Sequence, residues 1–159
     1  MYTLIASTAF GLEGIVRREL EQLGFEARAE NGQVRFQGEL EDAFRADLWL
    51  RTADRVLILM TEGKVLSFED LFRLVRACPW QGLMNRDAAF PVSCKCVRSQ
   101  LMSPSDCQAI AKKALAEELM AYYHMPWCDE SGASYPIHIT IHQDQARVMI
   151  DTSGEALSK

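Results

Sequence analysis

Over residues 1–65 the apolar positions switch between the two-residue period of a strand and the 3.6-residue period of a helix. Tyr2–Ser7 reads as a short strand. Leu12, Ile15, Val16, Leu20 and Leu23 then fall at helical spacing, Arg17, Arg18, Glu21 and Gln22 face away, and Gly24 follows as a helix stop. Phe25–Glu30 and Gln33–Gln37 predict two strands joined by Asn31-Gly32, a hairpin signal because both residues tolerate positive φ. A second helix is expected over about Leu40–Leu50, with Leu40, Ala43, Phe44 and Leu48 inward, before an apolar strand at Arg55–Glu62. The order β-α-β-β-α-β is that of the ferredoxin-like split β-α-β unit, with two helices on one face of an antiparallel sheet.

The pattern after residue 65 predicts a different α/β unit and not a repeat of the first. Ser67 fits an N-cap with Asp70 three positions on, and Phe68, Leu71, Phe72 and Val75 form an apolar stripe. Pro79 disfavours helical backbone at Cys78, so this helix stops at Cys78-Pro79-Trp80. Phe90–Val97 predicts a strand. Ser103-Pro104-Ser105-Asp106 combines a serine cap, a proline in the first turn and an acid at N3. The helix it starts runs to about Tyr123 and packs through Ile110, Ala111, Ala114 and Leu115. Ile137, Ile139 and Ile141 alternate with His138, Thr140 and His142, a half-buried strand, and a turn over Gln143–Ala146 leads to a last strand, Arg147–Asp151.

Composition narrows the function classes. With 159 residues the chain is one domain or two small ones, and 48 % hydrophobic residues suffice for real cores. Apolar runs such as Val56–Met60 are too short to span a bilayer, and Met1–Phe10 lacks a basic start and an apolar stretch, so the cytoplasm is the expected location. The net charge of −5 excludes a broadly basic surface; it leaves nucleic acid open, because affinity depends on local Lys and Arg contacts to phosphate. The five cysteines form no C-x-x-C pair. Cys94 and Cys96 continue the face of Phe90 and Val92, which makes buried free thiols the expectation over a metal or redox role.

Catalytic chemistry is not expected of these residues. Gly11 and Gly14 lack the third glycine of a phosphate-binding loop, and no serine, cysteine and histidine stand in a nucleophile frame. The segment Lys95–Ser103 has a different character. Lys95 points off the core face of its strand, Arg98 and Ser99 follow, and Ser103 opens a helix whose first backbone N–H groups can receive an anion. Lys112 and Lys113 lie off the apolar face of that helix. Cations, hydroxyls and a helix start suit an RNA phosphate backbone; the plain alternative is a solvated, well-capped surface, in which Asp106 already occupies the helix end. His138 and His142, four strand positions apart, are separated by ~13 Å and cannot share a metal. Trp49 and Trp80 fall in apolar helical patterns and are expected in the core, whereas Trp127, Tyr122 and Tyr123 could in principle stack on bases.

A set of ordered motifs carries a resemblance. Thr8-Ala9-Phe10-Gly11-Leu12-Glu13, Glu30-Asn31-Gly32, the stretch Trp49–Val56, Phe90-Pro91-Val92, Ser99-x-Leu101-x-Ser103, Asp106-Cys107-Gln108 with Lys112-Lys113-Ala114, and Ile150-Asp151-Thr152-Ser153-Gly154 follow one another. Together they resemble the N-terminal half of the bacterial THUMP-containing ribosomal RNA guanine-N2 methyltransferases, over essentially the whole chain. The resemblance implies an α+β protein with a ferredoxin-like domain over residues 1–65, a THUMP domain over 66–153 and the start of a linker over 154–159. It implies that Lys95, Arg98, Ser99, Ser103, Lys112 and Lys113 lie in or beside a surface that binds structured RNA, ribosomal RNA in particular. Neither a metal nor a cofactor is expected on this chain, nor a membrane partner. S-adenosylmethionine and catalysis would belong to a methyltransferase domain following in cis. Ser158 stands where the family usually has a histidine. Two other classes remain open on the residues alone: a small-molecule-sensing ferredoxin-like module, and a scaffold that associates through its edge strands.

Overall fold

The computed structural model describes residues 2–30, 32–50 and 53–152. The linker expected over 154–159 and most of the turn expected over 151–154 lie outside those residues, as does Asn31. The chain divides into two compact units, one of Met1–Leu59 with Ile150–Lys159 and one of Met60–Met149.

The first unit contains β1 (Tyr2–Ser7), α1 (Glu13–Gln22), β2 (Ala27–Glu30), β3 (Gln33–Gly38), α2 (Leu40–Trp49) and the start of β4 (Arg55–Lys64). Its strands lie in the order β2-β3-β1-β4, and β1 pairs antiparallel with β3 and β4. Leu4 stands opposite Phe36 on one side and Ile58 on the other, and all three are buried. Val16 and Leu20 of α1 and Ala43 and Ala46 of α2 close this core. Gly24 and Gly32, at φ of +97° and +75°, supply the helix stop and the hairpin turn where only glycine is unstrained. The carboxylate of Glu13 accepts the Gly11 and Gly32 N–H groups, both at 2.8 Å, and these bonds hold its pKa below the ordinary range. Near the end of the chain, the Thr152 hydroxyl donates to the Val56 carbonyl at 2.7 Å, and buried Asp151 pairs with Arg55 at 3.3 Å.

Several apolar positions expected inward face solvent. Leu48 is 82 % exposed and Trp49 63 %, whereas α2 turns Ala43 and Ala46 to the core. At ~100° per residue Leu48 lies roughly 140° around the helix from Ala43, so a contact built on alanines carries it outward. Leu12, just before α1, and Ile15 on it are likewise open, because Val16 and Leu20 define the packed stripe.

The second unit takes the end of β4 and holds α3 (Phe68–Arg76), a 3₁₀ turn (Trp80–Gly82), β5 (Val92–Val97), α4 (Pro104–Tyr123), β6 (Ile137–His142) and most of β7 (Gln145–Asp151). Strand β6 lies between β7 and β5, and it pairs parallel with β5. Ser67 caps α3 by accepting the Asp70 N–H at 3.1 Å, and the Asp70 carboxylate accepts the Leu66 N–H at 3.0 Å. Leu71 and Val75 are the buried face of α3. Helix α4 buries Cys107, Ala111, Ala114, Leu115 and Leu119, a stripe at three- and four-residue spacing. Arg76 of α3 pairs with Glu118 of α4. Trp80 is fully buried, with its indole N–H donating to the Val75 carbonyl at 2.9 Å, as an interior tryptophan requires.

Candidate nucleic-acid interface

Side chains alternate across β5, and one contact fixes which face is which. The Cys96 sulfur lies 3.9 Å from the sulfur of Cys107 on α4, so Cys94 and Cys96 face the helix. Lys95 therefore projects from the opposite face, where it is exposed beside Thr140 of β6 in register. Ser93 and His138 share that outer face, Ser93 Oγ and His138 Nδ1 being 2.8 Å apart. Val97 and His142 form a further row, and the register keeps the two histidines apart, as their spacing predicts.

Beyond β5 the chain turns through Arg98, which is exposed and in the left-handed region at φ 49°. The two serines around it serve the loop. Ser99 donates its hydroxyl to the Leu101 carbonyl at 2.6 Å, and Ser103 Oγ, the cap of α4, accepts the Asp106 N–H at 3.4 Å. Asp144 steadies the same loop from the β6–β7 turn by accepting the Gln100 N–H at 2.7 Å. Leu101 is buried beneath it.

The two lysines of α4 differ. Lys112 Nζ lies 3.1 Å from Glu130 Oε1 and 5.1 Å from the centroid of the Phe90 ring, and the same Glu130 oxygen accepts the Phe90 N–H. Lys113 is exposed, and among the described residues it has no ion-pair partner. Phe90 precedes β5 and Arg98 follows it; at ~3.3 Å per residue these points are roughly 25 Å apart. The six candidates thus divide. Arg98, Ser99 and Ser103 gather at the start of α4, Lys95 occupies the outer sheet face, Lys112 is tied to Glu130 at the other end of β5, and Lys113 faces solvent. Strand β5 ends the strand order of its unit, so Lys95 and the α4 lysines flank one edge from its two faces.

Sequence reasoning missed Glu130 and Asp144, which act from far along the chain and carry no spacing signal. Trp127 and Tyr122, at 67 % and 56 % exposure, remain open to a base, whereas Tyr123 donates its hydroxyl to the Met84 carbonyl at 2.7 Å. The thiols depart from expectation in their grouping. Cys94, Cys96 and Cys107 place their sulfurs within 4.8 Å of one another. Burial pushes Cys78 up to about 12 and Cys107 to about 11, and raises Cys94 as well. In the first unit a shallow hollow of about 350 Å³ is lined by Glu26, Arg28, Arg35 and Phe36, and Arg35 already pairs there with Glu30.

Comparison with known proteins places this geometry in a family. Residues 3–57 match the RlmL ferredoxin-like domain and residues 66–151 the THUMP domain. YpsC of Bacillus subtilis strain 168, named for a proposed RNA methyltransferase activity, is 40 % identical over 160 residues, which cover 99 % of this chain and 42 % of that protein. A Listeria monocytogenes protein, described as a predicted N6-adenine-specific DNA methylase, superposes with a TM-score of 0.91 at 41 % identity, over 94 % of this chain and 40 % of its own. SMU.472, described as a proposed methyltransferase and solved with SAH, gives the same TM-score at 40 % identity, over 94 % of this chain and 41 % of its own. The chain therefore spans about two fifths of the length of these relatives. No described helix is long and apolar enough to cross a membrane. The chain belongs to the THUMP family, carrying this RNA-binding domain behind an RlmL-type ferredoxin-like domain.

Proposed function

We propose that this chain is the RNA-gripping region of a cytoplasmic, S-adenosylmethionine-dependent ribosomal RNA methyltransferase, and that it presents a folded RNA segment to a catalytic domain following it in cis. The observation that carries the reading is a THUMP domain within a match that ends after two fifths of proteins named as methyltransferases. On this chain, Lys95, Arg98 and Lys113 are the exposed cations placed to meet phosphate around the β5 edge, with Ser99 and Ser103 shaping the loop between them. Shape and backbone recognition fit this surface better than base reading, because few exposed aromatics accompany the cations. The relatives' names disagree on the nucleic acid, one naming RNA and the other adenine in DNA. Guanine N2 in ribosomal RNA is the target favoured by the motif resemblance.

The test is methyl transfer from labelled S-adenosylmethionine to ribosomal RNA by the full-length protein, with the modified nucleoside identified by mass spectrometry. The expected product is N2-methylguanosine, with transfer lost when residues 1–152 are removed and none by residues 1–159 alone. Undiminished transfer without residues 1–152, or N6-methyladenosine in DNA as the product, would overturn the reading.

A further inference from the structure

Of the five cysteines, two behave as ordinary interior thiols. Cys78 donates to the Leu74 carbonyl at 3.7 Å and Cys128 to the Ala116 carbonyl at 3.6 Å. The other three turn toward each other. Cys94 and Cys96, two apart on β5, share the face covered by α4, and Cys107 is the fourth residue of that helix. All three sulfurs lie within 4.8 Å of one another, and Cys96 and Cys107 are 3.9 Å apart.

We propose that Cys94, Cys96 and Cys107 form a site for one thiophilic d¹⁰ metal ion, zinc or cuprous copper, that ties β5 to the first turn of α4. At a metal–sulfur distance of ~2.3 Å, three thiolates around one ion stand roughly 3.8 Å apart in tetrahedral geometry and about 4.0 Å apart in trigonal geometry. The observed spacing reaches those values with side-chain movements of under about 1 Å. The backbone is already set for it. Strand alternation aligns Cys94 with Cys96, Ser103 and Pro104 fix where α4 begins, and the Cys107 N–H is held by the Ser103 carbonyl at 3.0 Å. Cys107 lies in the first turn, where the positive end of the helix dipole favours a thiolate.

Soft sulfur donors select zinc and cuprous ions over hard cations such as magnesium or calcium. Among the described residues the cluster holds no histidine or carboxylate, so cuprous ion would be three-coordinate and zinc would keep a water. Cysteine ligates a metal as the thiolate, so binding at this site releases protons. Cys107 is buried and Cys94 and Cys96 half-buried, which limits competing ligands without closing the approach. The site does not depend on the RNA reading.

The experiment titrates the reduced full chain with cadmium, a spectroscopic stand-in for zinc, and follows the ultraviolet thiolate-to-cadmium charge-transfer band. Zinc and cuprous ion are then each competed against a chromophoric chelator. The expected result is saturation at one ion per chain, loss of the band in Cys94→Ser, Cys96→Ser and Cys107→Ser, and an unchanged band in Cys78→Ser and Cys128→Ser. Circular dichroism checks each fold, and Cys94→Ser, at a half-buried strand position, keeps the test decisive if Cys107→Ser does not fold. Absence of the band at one equivalent of cadmium, or its persistence in folded Cys94→Ser, would overturn the site.

Discussion

Lys112 reaches Glu130 and the Phe90 ring, whereas Lys113, the next residue, faces solvent. Neighbours on one helix are separated by ~100°, so adjacent lysines can have different duties. An exposed pair contributes ~0.2–1 kcal/mol and a cation–π contact about as much. Lys112→Ala is expected to lower unfolding free energy by roughly 0.5–1 kcal/mol while leaving the salt dependence of RNA binding unaltered. Lys113→Ala should leave stability within about 0.5 kcal/mol and reduce the log–log salt slope by about one. Urea melts and fluorescence anisotropy separate the two; a Lys112→Ala effect on the slope alone would reverse the assignment. Asp47 offers a test in the first unit. Asp47 is exposed as a residue, yet desolvation of its carboxyl and the charge of Asp151 raise its pKa, against the Val56 N–H bond that lowers it. A carboxyl raised in the fold adds stability below its unfolded pKa, about 4, and loses it as pH rises through the folded value. Asp47→Asn, which keeps an acceptor for Val56, should stabilise the protein at pH 7, with the gain gone below about pH 4. Destabilisation at pH 7 would mean that the Val56 bond outweighs burial and repulsion.

At the scale of elements, the order of strands and helices was legible because each has a local signal: two periods, the caps at Ser67 and Ser103, and Gly24 and Gly32 where φ is positive. The inward faces were less so. A pattern of Leu40, Ala43, Phe44 and Leu48 suggested a large-residue stripe, yet α2 packs through Ala43 and Ala46 and leaves Leu48 and Trp49 outside. Which face of an amphipathic helix wins depends on what lies opposite, and that is non-local. The same limit applied to β5: alternation put Lys95 off the core face, but only α4 packing on the cysteine side places it across the sheet from the α4 lysines. Gly38 shows such a constraint at one position. A Cβ there would lie 2.8 Å from Asp42 Cβ and 3.2 Å from Leu4 Cδ1, against the capping box in which Asp42 accepts the Glu39 N–H. Gly38→Ala should therefore cost about 1–3 kcal/mol in urea unfolding; a neutral effect would mean that the start of α2 shifts without loss.

At the scale of the molecule, a net charge of −5 and an RNA-binding domain are compatible only if the binding cations are local. The candidate residues were found from sequence, but their division into a sheet face, a loop and a helix was not, since it rests on the Glu130 and Cys107 contacts. Lys95, Arg98 and Lys113 together should neutralise about three phosphates, giving a log–log salt slope of roughly −2 to −3. The measurement that tests the RNA-binding assignment most directly is anisotropy of a labelled, structured ribosomal RNA fragment across a salt series, with this chain and its Arg98→Ala/Lys113→Ala variant. Binding that weakens with salt at that slope, and a variant whose slope is smaller by about two, is the predicted result. No binding at low salt, or a variant with the slope of the parent, would contradict the assignment of RNA recognition to this surface.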